Sequence, residues 1–416
     1  MNEIWGSYEL GLVWGWAIAL YLFLAGLSSG AMMCALSVEW LNPNKKKPWD
    51  AFVEAGVLIA PVAIVVGLLI LVFDLTKPLS FYQLFIHYNA SSVMSLGVIL
   101  LLLYTPLCVI YAILRFRSTL ENGFLGALIK KCATILDFLE SKSLWLGRFI
   151  FVLAAGVGVY TGFLLSAIQT YPLFNSPILP ILFLASGISS GIAACIFFGI
   201  LCFSKDISKD NTKTLLMADL RVIPIELLLL CALFLGLYFQ GGDKAIIAVA
   251  SLSSGSWAFV FWLGVIGLGI ATPTLIALTA LKNHAYKVNF ILLNSLAVMI
   301  GVFALPMMAG NLLQQFYNIA DTLIVGRVLG SNALAAVGSA YTLMTFLTSI
   351  FLGLSLGSGA LFSIYQGRKD SIGLKKAVLH AFLLIMSVTV LLNIAVYAGL
   401  HPILLFLRVK YIKKTF

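Results

Sequence analysis

Charge is scarce in this sequence. Only 10% of its 416 residues are Asp, Glu, Lys or Arg and 61% are hydrophobic, whereas water-soluble domains are roughly a quarter charged. That excludes a soluble globular chain and leaves the bilayer as the main solvent. Histidine is also rare. The four are His87, His284, His380 and His401, and none falls within the first eight apolar runs, so a bis-histidine haem inside that bundle is not expected. The six cysteines, Cys34, Cys108, Cys132, Cys195, Cys202 and Cys231, show no CxxC or Cys/His spacing. They read as packing residues, and no metal site is expected. Strand-like alternation is missing too, and an open sheet edge could not be satisfied in lipid. The fold class is therefore all-α and integral to the membrane.

What is present in quantity is the long apolar run. Runs of about 20 residues, each able to cross the ~30 Å hydrocarbon layer as a helix, fall near 11–36, 51–75, 93–116, 149–168, 177–203, 223–239, 257–281, 289–317, 334–363 and 374–407. About ten transmembrane helices are expected. The net charge of +10 does not point to nucleic acid, because the basic residues sit in alternate loops. The first loop has Lys45, Lys46 and Lys47. The third has Arg115, Arg117, Lys130, Lys131, Lys142 and Arg148, and the fifth Lys205, Lys209, Lys213 and Arg221. The loops between them are nearly uncharged. The positive-inside rule then places the N-terminus outside and the odd loops in the cytoplasm of a multi-pass protein of the bacterial inner membrane. The first run is full length and lacks a basic flank, so it is expected to stay as a span rather than be cleaved.

The chain repeats itself. Leu22-Phe-Leu-Ala-Gly-Leu-Ser-Ser-Gly-Ala-Met-Met-Cys34 resembles Phe183-Leu-Ala-Ser-Gly-Ile-Ser-Ser-Gly-Ile-Ala-Ala-Cys195 at a constant offset of 161. The first and fifth helices are thus copies. Four helices per copy is an even number, so the first eight form two parallel four-helix bundles. Gly26 and Gly30, and their counterparts Gly187 and Gly191, form a Gly-x-x-x-Gly stripe that lets helices approach closely. In each copy the second helix begins with an acid, Glu54 or Glu226, and ends near another, Asp74 or Asp243.

Ionisable groups inside a helix are few, and each needs a partner, a proton or a function. Glu54 and Glu226 lie near the cytoplasmic ends of their helices, where they are either structural or proton relays. Asp74 lies near the outer end of the second helix, in Phe73-Asp-Leu-Thr-Lys-Pro-Leu-Ser-Phe81. It either pairs with Lys77 or exchanges the protons that accompany quinol oxidation. Tyr160 lies about eight residues, or ~12 Å, from the outer end of the fourth helix. Its phenol can bond a quinone carbonyl or a neighbouring backbone carbonyl. Trp14, Trp16 and Tyr21 stand at similar depth on the first helix, either as interfacial anchors or against a ligand.

These residues carry a family resemblance. Trp14-Gly-Trp-Ala-Ile-Ala-Leu-Tyr-Leu-Phe-Leu-Ala-Gly26, Asp74-Leu-Thr-Lys-Pro78, Tyr160-Thr-Gly-Phe-Leu-Leu-Ser166 and Pro177-Ile-Leu-Pro180 resemble the NrfD/polysulfide reductase membrane-subunit family over roughly residues 1–303. The resemblance implies an eight-helix anchor that binds menaquinone or ubiquinone near the outer face and holds no haem or metal. Electrons would pass to or from an iron–sulfur subunit docked outside, and on to a catalytic molybdopterin or multihaem subunit. Tyr160 would be a quinone ligand and Asp74 a proton-handling residue; Trp16 and Tyr21 are further cofactor-binding candidates by their depth on the first helix rather than by a matched motif position.

The text changes character near residue 304. Leu305-Pro-Met-Met-Ala-Gly-Asn-Leu-Leu-Gln-Gln-Phe-Tyr-Asn318, Asp321-Thr-Leu-Ile-Val-Gly-Arg327, Gly353-Leu-Ser-Leu-Gly-Ser-Gly359 and Gly367-Arg-Lys-Asp370 resemble the first three helices of multidrug and toxic compound extrusion (MATE) transporters. The expected division is 1–303 and 304–416, with the eighth helix a hybrid. Such transporters are built from two six-helix bundles, which three helices cannot form. The basic tail Arg408-Val-Lys-Tyr-Ile-Lys-Lys-Thr-Phe416 would also lie on the wrong side of the membrane for the charge rule. Residues 304–416 are therefore read as a truncated passenger. The rival readings are a MATE-type drug or cation antiporter and a nonfunctional fusion product.

Overall fold

The computed structural model describes residues 16–41, 46–74, 92–122, 133–167, 176–203, 209–242, 260–283, 289–304 and 371–406, with scattered residues elsewhere. Among the described residues there is no strand. The chain separates into two compact units, Met1–Gln314 and Gln315–Phe416.

In the first unit the membrane-length helices are α1 (Trp16–Leu41), α2 (Lys46–Asp74) and α3 (Val93–Arg115). Two short helices follow, α4 (Arg117–Glu121) and α5 (Ala133–Ser141). Then come α6 (Ser143–Ser166), α7 (Leu179–Phe203) and α8 (Lys209–Gln240). The next helix, α9, is wound in π geometry over Val260–Ala271 and in α geometry over Thr272–Asn283. The shorter apolar helix α10 (Asn289–Ala304) follows it. The second unit holds α11 (Gly353–Tyr365) and α12 (Ser371–Phe406). Eight described helices are long and apolar enough to cross a membrane, and α10 and α11 occupy two more of the ten expected runs. One boundary differs materially. The sixth span, expected over 223–239, belongs to a helix beginning at Lys209, which draws Asp219 into the bundle.

Apolar side chains cover the outside as well as the core. Val62, Leu69 and Phe73 on α2, Phe149 and Val152 on α6, and Leu228, Leu235 and Phe239 on α8 are all exposed. In water such a surface would be an aggregation site, and against lipid tails it is solvated. The two short helices of the basic loop between α3 and α6 are tied down by ion pairs instead. Arg117 reaches Glu121 at 2.8 Å, Asp137 at 2.5 Å and Glu140 at 3.0 Å, linking α4 to α5. The Glu121 carboxylate, then that of Asp137, holds this guanidinium protonated even more firmly than an ordinary arginine.

At the centre α1 packs on α2, α6 and α7, and α7 packs on α1, α2, α6 and α8. The α1–α7 crossing explains the repeated glycines. The Cβ position of Gly26 lies 3.8 Å from Gly187 Cα, while a Cβ on Gly191 would fall on the backbone of Gly30 and Ala31. Gly26 thus meets its own copy Gly187, and Gly30 meets its own copy Gly191, in the same order along both helices. Equivalent residues touch each other only on a two-fold axis, and the common order makes the helices parallel. One turn further on, Cys34 and Cys195 are also equivalent and also buried.

The serine pairs next to these glycines join the bundle. Ser28 donates to the Ala60 carbonyl of α2 at 2.6 Å, and the Tyr104 hydroxyl of α3 lies 3.0 Å from Ser28 Oγ. Ser29 donates to the Ala154 carbonyl of α6 at 2.6 Å. In the second copy Ser189 donates instead to the Asp219 carboxylate of α8 at 2.7 Å. The two repeats share a backbone and differ in what their serines hold.

Candidate functional site

The face of α2 that meets α1 repeats every seven residues, through Val53, Ala60 and Gly67. Seven residues is nearly two turns, and the helix closes one such step further on, at Asp74. Gly67 leaves room for the Tyr21 ring of α1, whose Cδ2 lies 3.4 Å from the glycine's Cβ position. Tyr21 is only 1% exposed, and its hydroxyl has no hydrogen-bond partner among the described residues. A buried phenol left unpaired costs about 1–3 kcal/mol. The arrangement therefore has a use for an acceptor that the described residues do not supply.

Tyr160 of α6 is 8% exposed and packs against α3, where a Cβ on Gly97 would collide with its ring. Tyr21 is five residues into α1, and Tyr160 is six residues from the end of α6. At 1.5 Å per residue both are about 8–9 Å from helix ends on the same side. Both belong to one continuous hydrophobic core cluster. The first bundle therefore places two of the predicted residues, Tyr21 and Tyr160, at one depth in the core, and α2 ends about two turns beyond Gly67, where Tyr21 packs. The side chains of Trp16 and Asp74 lie outside the described residues, as does Trp14, although Trp16 opens α1 and Asp74 closes α2.

The two glutamates are not part of this cluster. Glu54 is half-buried on α2, one position off the face that meets α1. Glu226 is 5% exposed on α8, in the other repeat, and lines a cavity of about 20 Å³ with Ser186 of α7 and Gly301 of α10. Asp243, expected to match Asp74, lies outside the described residues. Sequence reasoning missed Asp219, which is 3% exposed and bonded to Ser189. Its signal was available as the seven-residue spacing of Thr212, Asp219 and Glu226. Among the described residues no group of His, Cys, Asp or Glu is arranged to hold a metal ion.

Chemically, the first bundle offers two phenols that can donate to one or two carbonyl oxygens in an apolar setting, with a carboxylate-bearing helix end beyond them. A multi-pass all-α protein with such a site has the make-up of a membrane subunit of a respiratory oxidoreductase. The chain belongs to the family described as Polysulphide reductase, NrfD, which matches residues 7–312. The C subunit of polysulfide reductase from Wolinella succinogenes is 47% identical over 308 residues, covering 73% of this chain and 96% of the relative. The NrfD homolog of Haemophilus influenzae is 38% identical over 301 residues, covering 71% of this chain and 92% of the relative. A second family, MatE, matches residues 306–410. There the probable multidrug resistance protein YpnP of Bacillus subtilis is 30% identical over 86 residues, 21% of this chain and 19% of the relative. The match thus spans about a fifth of that transporter relative.

Proposed function

We propose that residues 1–303 exchange electrons between membrane quinone and an iron–sulfur subunit docked on the outer face, which serves a catalytic molybdopterin or multihaem subunit. The substrate is menaquinone or ubiquinone. The observation that carries this reading is the pair of buried phenols, Tyr21 and Tyr160, at one depth in the first bundle, one of them with an unmatched hydroxyl among the described residues. It is supported by the likeness to the Wolinella polysulfide reductase C subunit over nearly all of that relative's length.

In this reading the Tyr160 hydroxyl donates to a quinone carbonyl, and Tyr21 and Trp16 complete the wall of the site. Oxidation of a quinol releases two electrons and two protons, so a base must stand near the hydroxyls. Asp74, which closes α2 about two turns beyond Gly67, is assigned that role, reached from the quinol directly or through water. Glu54 and Glu226 are the candidates for relaying protons further. The alternate-loop charge pattern supports an N-terminus outside the cytoplasmic membrane, which puts the phenols near the outer leaflet. Replacing Tyr160 with Phe is expected to lower quinol-linked electron transfer about tenfold, the effect of losing one hydrogen bond of ~1.4 kcal/mol, while leaving insertion intact. Unchanged turnover in the assembled complex would remove Tyr160 from the site.

Residues 304–416 we read as a passenger without transport activity of its own. The match covers 19% of its transporter relative, too little for two six-helix bundles around a cavity. Uptake of a cationic dye by vesicles holding the purified protein would contradict this and favour the antiporter reading.

A further inference from the structure

The second repeat has a polar feature that the first lacks. On α8, Thr212, Asp219 and Glu226 recur every seven residues and are 2%, 3% and 5% exposed. Seven-residue steps keep them on one face, each ~10 Å beyond the last. The corresponding face of α2 carries Val53, Ala60 and Gly67. Two serines of α7 stand beside this stripe in matching order. Ser189 donates to Asp219, and Ser186, one turn away, shares the cavity of Glu226. The cavity of about 20 Å³ is large enough for one water molecule.

Two buried polar atoms in this region have no partner among the described residues, Glu226 Oε1 and Asn294 Oδ1. Glu226 Oε1 belongs to the group lining the cavity. Asn294 of α10 is 2% exposed and precedes Gly301, another lining residue, by seven positions, as Asp219 precedes Glu226. Successive spans alternate in direction, so α8 and α10 run the same way and Asn294 stands level with Asp219. Among the described residues the neighbouring helices bring no cation here. α7 faces the stripe with Ser186 and Ser189, and α9 and α10 line the Glu226 cavity with Val265, Gly269 and Gly301. Arg221, on α8 itself, is exposed on another face.

We propose that this stripe is a proton-uptake path, leading from the end of α8 that bears Lys209 and Lys213, past Asp219, to Glu226 and a water in its cavity. It deepens the relay role given to Glu226 and does not depend on what Tyr21 and Tyr160 bind. The two carboxylates are ~10 Å apart, too far to share a metal ion and too far for direct proton transfer. Ser189, Ser186 and a water in the cavity supply hydrogen-bonding groups across that gap. A carboxylate buried in lipid without a counter-charge is tolerable only when it carries its proton. No bond other than O–H is made or broken along the path.

The test uses the intact protein in its native membranes, treated with dicyclohexylcarbodiimide, which attaches to protonated carboxyls in apolar surroundings, and read by peptide mass spectrometry. Infrared spectra of the same samples report the protonated-carboxyl C=O band. Glu226 is expected to carry the adduct, with no protection by sodium ion at fixed pH, and E226Q to lose the adduct and the Glu226 component of the band. In D219N, whose amide still accepts from Ser189, the band is expected to follow an external pH jump at least several-fold more slowly. Absence of both adduct and band in the wild type would overturn the proposal. So would sodium protection, which makes the site a cation site, or an unslowed response in D219N. The quinone reading is judged separately, because Y160F lowers quinol turnover and leaves the Glu226 adduct unchanged.

Discussion

The repeated glycines at the α1–α7 crossing do not have equal consequences, and the inequality makes a graded prediction. The Cβ position of Gly26 lies 3.8 Å from its nearest neighbour, an ordinary contact, and that of Gly187 lies 3.1 Å from the Gly26 carbonyl oxygen. Those of Gly30 and Gly191 fall on backbone atoms of the opposite helix. Backbone has no rotamer by which to move aside, so Gly30→Ala or Gly191→Ala must push the helices apart. Between helices in lipid there is little hydrophobic drive to offset the lost packing. Overpacking typically costs 1–3 kcal/mol, and the backbone collision places Gly30→Ala and Gly191→Ala at about 3 kcal/mol or more, roughly a hundredfold in the folding equilibrium. Gly187→Ala is expected near 1 kcal/mol and Gly26→Ala below it. Gly236, in α8, has no atom within 4 Å of its Cβ position, so Gly236→Ala removes backbone entropy from the unfolded chain and is expected to stabilise by about 0.5–1 kcal/mol. The assay is equilibrium unfolding in mixed micelles across the five variants. Equal midpoints for Gly191→Ala and Gly26→Ala would refute the crossing geometry.

Three further outcomes follow from other contacts. Tyr104→Phe removes the hydroxyl that lies 3.0 Å from Ser28 Oγ and also donates to the Ser28 carbonyl at 3.1 Å. An interhelical bond of this kind contributes about 0.6 kcal/mol in membranes, so a small loss in the same unfolding assay is expected, with quinol turnover retained. Arg117→Ala frees α5 from α4 by removing the pairs to Asp137 and Glu140. Faster limited proteolysis between α3 and α6 is expected, with an unchanged unfolding midpoint; an unchanged digestion rate would show that these pairs do not hold the loop. A protein shortened to residues 1–314, the extent of the first compact unit, is expected to insert and to sustain quinol turnover with its partner subunits. Loss of insertion or turnover would make residues 315–416 more than a passenger.

Much of this architecture is legible in sequence because lipid imposes a simple code. Length and apolarity alone locate the helices, and the 161-residue offset locates the two-fold crossing. The parallel sense of the copies, deduced from an even helix count, agrees with Gly26 meeting Gly187 and Gly30 meeting Gly191. Helix rotation is less legible. Nothing in the spacing of Ser28 and Tyr104 announces their bond, since it depends on how α1 and α3 turn towards each other. Asp219 was missed for a different reason. Met217-Ala-Asp-Leu-Arg221 holds two charged residues in five, which reads as loop, and only the helix beginning at Lys209 turns the acid inward. The pairing of Glu54 with Glu226 as equivalent acids shows the same limit. Glu226 faces α7 from the buried face of α8, while Glu54 sits one position off the α2 face that meets α1. One position along a helix is a turn of about 100°.

The central claim is that the first bundle binds quinone between Tyr21 and Tyr160. Photolabelling of native membranes with an azido-quinone, followed by peptide mapping, tests it most directly. Label is expected on peptides holding Tyr21, Asp74 and Tyr160, displaced by excess unlabelled quinone and reduced in Tyr160→Phe. Displaceable label confined to α8, α9 and α10, with these three peptides clean, would contradict it.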